Sequence, residues 1–318
     1  MDAFIAKHLQ GVSRTYALLV PMLPNELADA VGAAYLLMRI VDTLEDAPGL
    51  STPERLALFG HVTAALRGDA AALQALTRPL GESDDERALM CAAPEVFAKL
   101  RALDPAYGNA ARACADAMSS GVCQMIAQSA ARGRPYPAVC NNAELREYCY
   151  YVAGVVGEML CAMMAHYLKL PALTRQRSVA VELGIGLQLV NILKDAHKDS
   201  AQGRRYLPST AGDRLSDAAA YATALGMARE CLQRGISYVL ALPASARELR
   251  TFCGLPIAWG ALTLARAAQD PAAAKIGRAA IATSIEQFAR LAADDQGLRQ
   301  WLTAHLAPPA PPMPVPTR

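Results

Sequence analysis

Residues 184–199 combine the apolar pattern of a buried helix with a stripe of polar side chains. Leucine, isoleucine and valine occupy almost every face of this segment. Four polar residues, spaced at i, i+3, i+7 and i+11, share one face: Gln188, Asn191, Asp195 and Asp199. Amides within a buried helix need polar partners, so the stripe indicates a functional face. For Asp199 alone, a helix end that turns towards solvent explains the pattern equally well.

A second acidic stripe lies earlier in the chain, at the end of another apolar helical pattern. Asp42, Glu45 and Asp46 fall at i, i+3 and i+4 and therefore point the same way. Tyr35 and Arg39 lie on or beside that face. A solvated acidic helix end would explain this stripe taken alone. Two such stripes argue against that explanation, because like charges crowded at facing sites are costly unless a cation neutralises them.

Carboxylates one helical turn apart, with amides on the same face, suit a hard divalent cation. Mg²⁺ takes one or two protein carboxylates, keeps several waters and completes its shell with substrate phosphate; Mn²⁺ is the alternative ion. Two acidic helices facing each other across an apolar cavity are what the ionisation of an allylic diphosphate requires. The metal stabilises the leaving group and the apolar walls shield the carbocation from water.

The remaining pattern predicts an all-α chain. Alanine, leucine, methionine, arginine and glutamate recur, β-branched runs are few, and Asn-Gly hairpin signals are lacking. Proline and glycine divide the chain into about ten helical stretches without an evident linker, so we predict one helical domain over residues 1–306. The proline-rich tail, residues 307–318, is predicted to be disordered.

The apolar stretch 148–170 is long enough to raise the question of a membrane span. Glu158 and His166 lie inside it, and a second apolar helix is predicted over residues 179–193. We therefore favour two central buried helices over a span. The sequence shows no hydrophobic C-terminal anchor, although loose peripheral contact with a membrane remains compatible with a lipid ligand.

Composition restricts the partners and the compartment. Hydrophobic residues make up 53% of the chain and aromatic residues only 6%, which predicts a large aliphatic core. The net charge of +2 comes from interspersed charges and predicts no nucleic-acid binding. Eight cysteines without a C-x-x-C pair, and the lack of a secretory leader, indicate reduced thiols in a cytoplasmic protein. We expect a monomer or a weak homo-oligomer.

Six short motifs, in order between about residues 12 and 283, resemble those of the squalene and phytoene synthase family. These head-to-head trans-prenyltransferases have the isoprenoid-synthase fold, a helical bundle around a central apolar cavity. The motifs are SRTY at 13–16, YLLMRIVDTLED at 35–46, YCYYVAG at 148–154, the polar stripe at 188–199, GRRYLP at 203–208 and FCGLP at 252–256. The DTLED and FCxxP forms resemble the squalene synthases of the family, whereas phytoene-type enzymes more often carry DDxxD.

The resemblance also implies roles for individual residues. Those implied at the metal site are Asp42, Glu45, Asp46, Asn191, Asp195 and Asp199. Those implied at the substrate diphosphate are Ser13, Arg14, Arg39, Gln188, Lys194 and Arg204, with Lys194 replacing an arginine common in relatives. Tyr151 matches the family position for proton transfer near the reacting carbons; Tyr148 and Tyr150 are interpreted as packing aromatics. Lys275 and Arg278 match two positions of a basic element that contacts NADPH phosphates, and ordinary helix surface is the alternative.

The expected reaction is the Mg²⁺-dependent condensation of two farnesyl diphosphates, through presqualene diphosphate, to squalene with NADPH as reductant. A phytoene, dehydrosqualene or presqualene diphosphate synthase without reduction is the main alternative. A terpene cyclase is more remote, because cyclases end the second metal motif with glutamate and lack the YCxYVAG segment. A non-catalytic lipid-binding helical protein would predict a broken metal site, and both motifs are intact here.

Overall fold

The computed structural model describes residues 1–134, 136–201, 204–208 and 218–307. Within these ranges the regular structure is helical, and the only extended pairing is one isolated bridge between Ala138 and Arg205. The all-α prediction is confirmed. The predicted tail from residue 308 onward and Gly203 of the fifth motif lie outside the described residues.

Fifteen α-helices follow one another in the described part of the chain. They are α1 Ala3–Val12, α2 Tyr16–Leu19, α3 Asn25–Asp46, α4 Thr52–Leu66, α5 Ala70–Leu76, α6 Asp84–Cys91, α7 Ala93–Ala102, α8 Pro105–Ala131, α9 Asn142–Cys149, α10 Val155–Tyr167, α11 Arg177–Ala201, α12 Ala218–Ala241, α13 Arg247–Ala267, α14 Arg278–Leu291 and α15 Asp295–Leu306. The sequence predicted about ten helical stretches. The difference lies in short helices such as α6, which begins at a capping box formed by Ser83 and Glu86.

The two motif-bearing helices lie at the centre of the bundle. The first, α3, packs against α1, α4, α7 and α8, and the second, α11, packs against α10, α12 and α13. Both bury most of their apolar side chains, and α10 also contacts α3. The predicted pair of buried helices corresponds to α10 and α11, which pack against each other and bury most of their apolar side chains. The central position of α3 and α11 brings their ends, which carry the acidic stripes, into the same region.

Glycines allow α10 and α11 to approach with their backbones in contact. A Cβ atom on Gly157 would lie 2.2 Å from the carbonyl oxygen of Ala180, and one on Gly184 would lie 2.2 Å from that of Ala153, in the turn just before α10. Any larger residue would separate the two helices. Between α9 and α10 the chain makes one π-helical turn, Tyr150–Gly154, which the sequence pattern did not predict.

One helical stretch, Asn142–Tyr167, is long and apolar enough to cross a membrane, with a mean hydropathy of 1.4. Inside the protein, 61% of its most apolar window is buried, as the core helix of a bundle would be. Length and composition alone are weak evidence for a span. The prediction of a buried core segment agrees with this packing.

Candidate active site

The first acidic cluster lies at the C-terminal end of α3. Arg39 and Asp42 are half-buried and form an ion pair one turn apart. The other arm of the guanidinium pairs with Glu86, from the first turn of α6. Asp42 and Glu86 raise the pKa of Arg39 further, Asp42 having the larger effect, so this arginine is a permanent cation beside the carboxylates.

Glu45 is buried behind this pair and surrounded by tyrosines. Its Oε1 atom accepts hydrogen bonds from the hydroxyls of Tyr136, at 2.6 Å, and Tyr148, at 3.0 Å. Tyr206 packs against Tyr148, with ring centroids 4.9 Å apart. The Oε2 atom is buried and has no hydrogen-bond partner among the described residues. Burial, followed by the charges of Asp46 and Asp42, raises the pKa of Glu45 well above the ordinary range.

Arg204 connects the ends of the two acidic helices. Its guanidinium lies 3.3 Å from the carboxylate of Asp46 and donates to the backbone carbonyl of the same residue at 3.1 Å. Its backbone N–H donates to the carbonyl oxygen of Asp199 at 2.8 Å. Burial and the neighbouring Asp42 raise the pKa of Asp46, and Arg204 opposes that shift. The predicted diphosphate-binding arginine therefore lies between the two predicted metal motifs.

The second acidic cluster lies near the C-terminal end of α11. Lys194 contacts the carboxylate of Asp195 and the amide oxygen of Asn191, both at 3.2 Å. Burial, followed by the charge of Asp195, raises the pKa of Asp199. Lys194, predicted to bind diphosphate, therefore contacts two residues of the second metal motif. Its single charge lacks the bidentate geometry of a guanidinium.

A cavity of about 220 Å³ joins the two motif helices. Its walls are mainly apolar and come from α3, α8, α10, α11 and α13, together with the π-helical turn. Four of the predicted site residues line it: Arg39, Asp42, Gln188 and Asn191. The remaining wall includes Tyr35, Met38, Met118, Val156, Leu160, Leu183, Leu187, Phe252 and Pro256. The structure therefore combines an apolar cavity with a charged end, as the sequence predicted.

Ser13 and Arg14 differ in their relation to this cavity. Ser13 is buried, accepts a hydrogen bond from the backbone N–H of Tyr16 at 3.0 Å and is hydrogen-bonded to Tyr35, whose ring lines the cavity. Arg14 is exposed, and none of the contacts described joins it to an acidic cluster. Its predicted contact with diphosphate stays a prediction.

The three tyrosines of the YCYYVAG segment have different surroundings. The ring of Tyr151 packs on α8, where a Cβ on Gly121 would lie 2.0 Å from it. Tyr150 donates its hydroxyl to Glu158, which pairs with Arg177. Tyr148 is buried and was interpreted as a packing aromatic, but its hydroxyl donates to Glu45. The phenol of Tyr148 therefore lies next to the first acidic cluster.

Lys275 is exposed in the connection before α14, and Arg278 is exposed as the first residue of that helix. The preceding turn, Pro271–Ala273, packs on α11 and α13, and the Lys275 carbonyl accepts from Arg266. No contact between this pair and the acidic clusters appears in the described part of the chain. Their predicted contact with NADPH stays a prediction.

The sequence reasoning missed several residues that contact the site. They are Glu82, Glu86, Tyr136 and Tyr206, with Tyr148 assigned only to packing. The capping pattern S-x-x-E at 83–86 is a signal that could have located the start of α6, but no sequence pattern could show that its glutamate pairs with an arginine of α3. Long-range contacts of this kind depend on how helices pack.

The donor set fits a hard divalent cation. In the arrangement described, no three His, Cys, Asp or Glu side chains within the described ranges converge on one point, because basic side chains pair with the carboxylates. The acidic residues of both stripes offer carboxylate oxygens, the ligand atoms that Mg²⁺ prefers. The Oε2 of Glu45 is buried without a partner, and burial, followed by neighbouring carboxylates, raises the pKa values of Glu45 and Asp46, so ionising both groups is costly here. A bound cation would favour the ionised carboxylates.

Comparison with solved structures supports the fold. A complex of TcSQS with the ligand BPH1237 superposes with a TM-score of 0.77 at 22% identity, covering 98% of this chain and 93% of that one. A dehydrosqualene synthase in complex with ligand gives a TM-score of 0.54 at 20% identity, covering 95% and 96% of the two chains. Similarity at these identities shows a shared fold.

Sequence comparison identifies the family. Squalene synthase of Schizosaccharomyces pombe is 25% identical over 282 residues, which are 83% of this chain and 59% of that protein. Squalene synthase of Homo sapiens is 26% identical over 203 residues, covering 64% and 45%. The aligned chain thus spans 59% or less of the length of these relatives. The family model for squalene/phytoene synthase matches residues 9–285, and the chain therefore belongs to the squalene/phytoene synthase family.

Proposed function

We propose that this protein is a Mg²⁺-dependent prenyltransferase that joins two farnesyl diphosphates head to head, through presqualene diphosphate. NADPH then reduces the intermediate to squalene. The observation that carries the proposal is the apolar cavity whose charged and polar lining comes from both motifs, as Arg39 and Asp42 of the first and Gln188 and Asn191 of the second. An apolar tail would occupy the cavity while its diphosphate meets the charged end. We further propose a cytoplasmic location with peripheral membrane contact, and a monomer or a weak homo-oligomer.

Each group at the charged end has a defined task in this reaction. Asp42, Asp46, Asp195 and Asp199 would hold Mg²⁺, with Glu45 and Asn191 beside them. When bound, Mg²⁺ neutralises the charge that develops on the departing diphosphate. Arg39 and Arg204 present guanidinium forks that match phosphate oxygens, and Lys194 adds a point charge. The apolar walls exclude water, which would otherwise capture the carbocation.

Proton transfer requires a phenol near the reacting carbons, and two tyrosines are candidates. Tyr151 is the candidate from the sequence. Tyr148 is favoured by geometry, because its hydroxyl lies at the first acidic cluster, 3.0 Å from Glu45. A phenol hydrogen-bonded to a carboxylate can both give and recover a proton.

The proposal is tested by incubating the full chain with Mg²⁺ and farnesyl diphosphate, with and without NADPH, and identifying the products by mass spectrometry. We expect presqualene diphosphate without NADPH and squalene with it. The Asp42→Asn and Asp195→Asn variants should lose at least about 10²-fold in turnover while their helical circular dichroism stays unchanged. Wild-type rates in either variant at saturating Mg²⁺ would contradict the metal assignment.

A non-reductive synthase is the second candidate. One position of the predicted basic element is occupied by Gly277, so only Lys275 and Arg278 remain to contact cofactor phosphates. A product profile that does not change on addition of NADPH would favour a presqualene diphosphate, dehydrosqualene or phytoene synthase. The same incubation with geranylgeranyl diphosphate distinguishes the phytoene reaction.

A further inference from the structure

Two glutamates at the start of α6 already occupy the arginines that the proposed function assigns to diphosphate. Glu86 pairs with Arg39, from the first acidic motif. Glu82 lies 2.8 Å from the guanidinium of Arg204 and 3.7 Å from the amine of Lys198. Neither glutamate belongs to the two acidic stripes. Glu86 pairs with an arginine that lines the cavity, and Glu82 pairs with the arginine that connects the two acidic helices.

The local backbone fixes these glutamates in place. Gly81 has a φ of +126° and lies so close to α3 that a Cβ there would be 2.6 Å from the Cβ of Glu86 and 3.3 Å from the side chain of Thr43. The Oε2 atom of Glu86 accepts from the backbone N–H groups of Glu82, at 2.8 Å, and Ser83, at 3.1 Å. The Oε1 atom of Glu86 accepts from the guanidinium of Arg39. The helix cap therefore orients the carboxylate towards the site.

We propose that Glu82 and Glu86 are internal counter-anions that hold the diphosphate-binding arginines in the substrate-free protein and compete with diphosphate for them. This inference rests on the proposed function. Without these carboxylates, each partly buried guanidinium would lack a second anionic partner, which is costly. Incoming diphosphate must break the ion pairs and place its own negative charge next to both glutamates.

The same competition favours release of the diphosphate product. After the prenyl group has left, inorganic diphosphate still carries the negative charge through which it binds the arginines. Carboxylates that remain beside Arg39 and Arg204 can recover the guanidinium groups as the product departs. The glutamates thus weaken the binding of substrate and product alike.

The size of the effect follows from the exposure of the ion pairs. The Glu86 side chain is 15% exposed and that of Glu82 is 36% exposed, so solvent screens both pairs in part. Pairs of this kind alter an equilibrium by about two- to fivefold each. If the two pairs act independently, a variant that neutralises both glutamates is expected to differ from wild type by about four- to twenty-five-fold.

The test measures calorimetric binding of inorganic diphosphate with Mg²⁺ to the full chain. Glu82→Gln, Glu86→Gln and the double variant remove the charge, and glutamine at position 86 preserves the capping box. Asp84→Asn is the matched control, because this residue carries the same charge at the same helix end but is 99% exposed and pairs with Arg87. We expect the Kd for diphosphate to fall about two- to fivefold in each glutamine variant and to stay unchanged in the control.

The Michaelis constant for farnesyl diphosphate should fall in parallel. Unchanged or weaker diphosphate binding in the glutamine variants would overturn the inference. Weaker binding would mean that the glutamates help the wild-type protein to bind diphosphate, by orienting the arginines or by ligating the metal. Failure of the wild-type protein to bind diphosphate with Mg²⁺ would overturn the proposed function, and the inference with it. Circular dichroism of each variant confirms that binding is measured on folded protein.

Discussion

At the scale of single residues, removing the hydroxyl group of Tyr148 or of Tyr151 shows which of these two tyrosines transfers the proton. Tyr148→Phe keeps the ring that packs on Tyr206 but removes the hydroxyl at Glu45. We expect turnover to fall by about 10²- to 10⁴-fold, the usual contribution of a general acid-base group. Tyr151→Phe serves as the comparison. Steady-state rates at saturating farnesyl diphosphate measure both, and a larger loss in Tyr151→Phe would restore the prediction made from the sequence.

Glu45 should make the stability of the metal-free protein depend on pH. Its pKa is raised, mainly by burial, so the folded chain retains a proton that the unfolded chain releases above the ordinary glutamate pKa of about 4.3. The contribution of Glu45 to stability is therefore greatest at low pH and falls as the pH rises towards the raised pKa. We expect a lower Tm at pH 8 than at pH 6 in the presence of a chelator.

Glu45→Gln is the control for this pH dependence, because the amide oxygen can still accept hydrogen bonds from Tyr136 and Tyr148 but cannot ionise. The difference in Tm between the two pH values should shrink in this variant. An equal difference in both proteins would show that other groups cause it.

At the scale of helices, the contact of α11 with α10 and with the π-helical turn before α10 depends on glycine. Gly184→Ala would place a Cβ 2.2 Å from the carbonyl oxygen of Ala153, and we expect a loss of about 1–3 kcal/mol or more in the free energy of unfolding. Gly226→Ala, on the exposed face of α12, meets nothing within 4 Å and should stabilise by up to about 1 kcal/mol. Urea denaturation measures both changes. Equal effects of the two substitutions would contradict the close helix contact.

The same helices show what the sequence can and cannot predict. The spacing of Asp42, Glu45 and Asp46 fixed their common face, because it depends only on helical geometry. The pairing of Arg39 with Glu86 was not predictable, since it depends on how α3 and α6 pack. The π-helical turn also escaped prediction. Its residues, Tyr150–Gly154, contain no proline that would mark a break in the helical pattern, and the wider turn rotates the residues before it relative to those after it.

At the scale of the whole molecule, the proposed reduction by NADPH would depend on a surface that is exposed around Lys275 and Arg278. Lys275→Ala combined with Arg278→Ala should raise the Michaelis constant for NADPH about tenfold, the effect of losing hydrogen bonds to charged phosphates. Formation of presqualene diphosphate should be unaffected. Arg290→Ala, an exposed arginine of the same helix, is the control. An unchanged Michaelis constant in the double variant would leave these residues as ordinary helix surface.

The link that Arg204 makes between α3 and α11 has a consequence for detecting ligands. The two acidic motifs lie far apart in the sequence and meet only when the bundle has formed, so an unfolded chain has no diphosphate site. A ligand that binds only the native state stabilises it by about 2.7 kcal/mol at a free concentration of 100 times its Kd. Thermal-shift measurements with Mg²⁺ and a panel of prenyl diphosphates can therefore rank substrates by chain length before any product is identified.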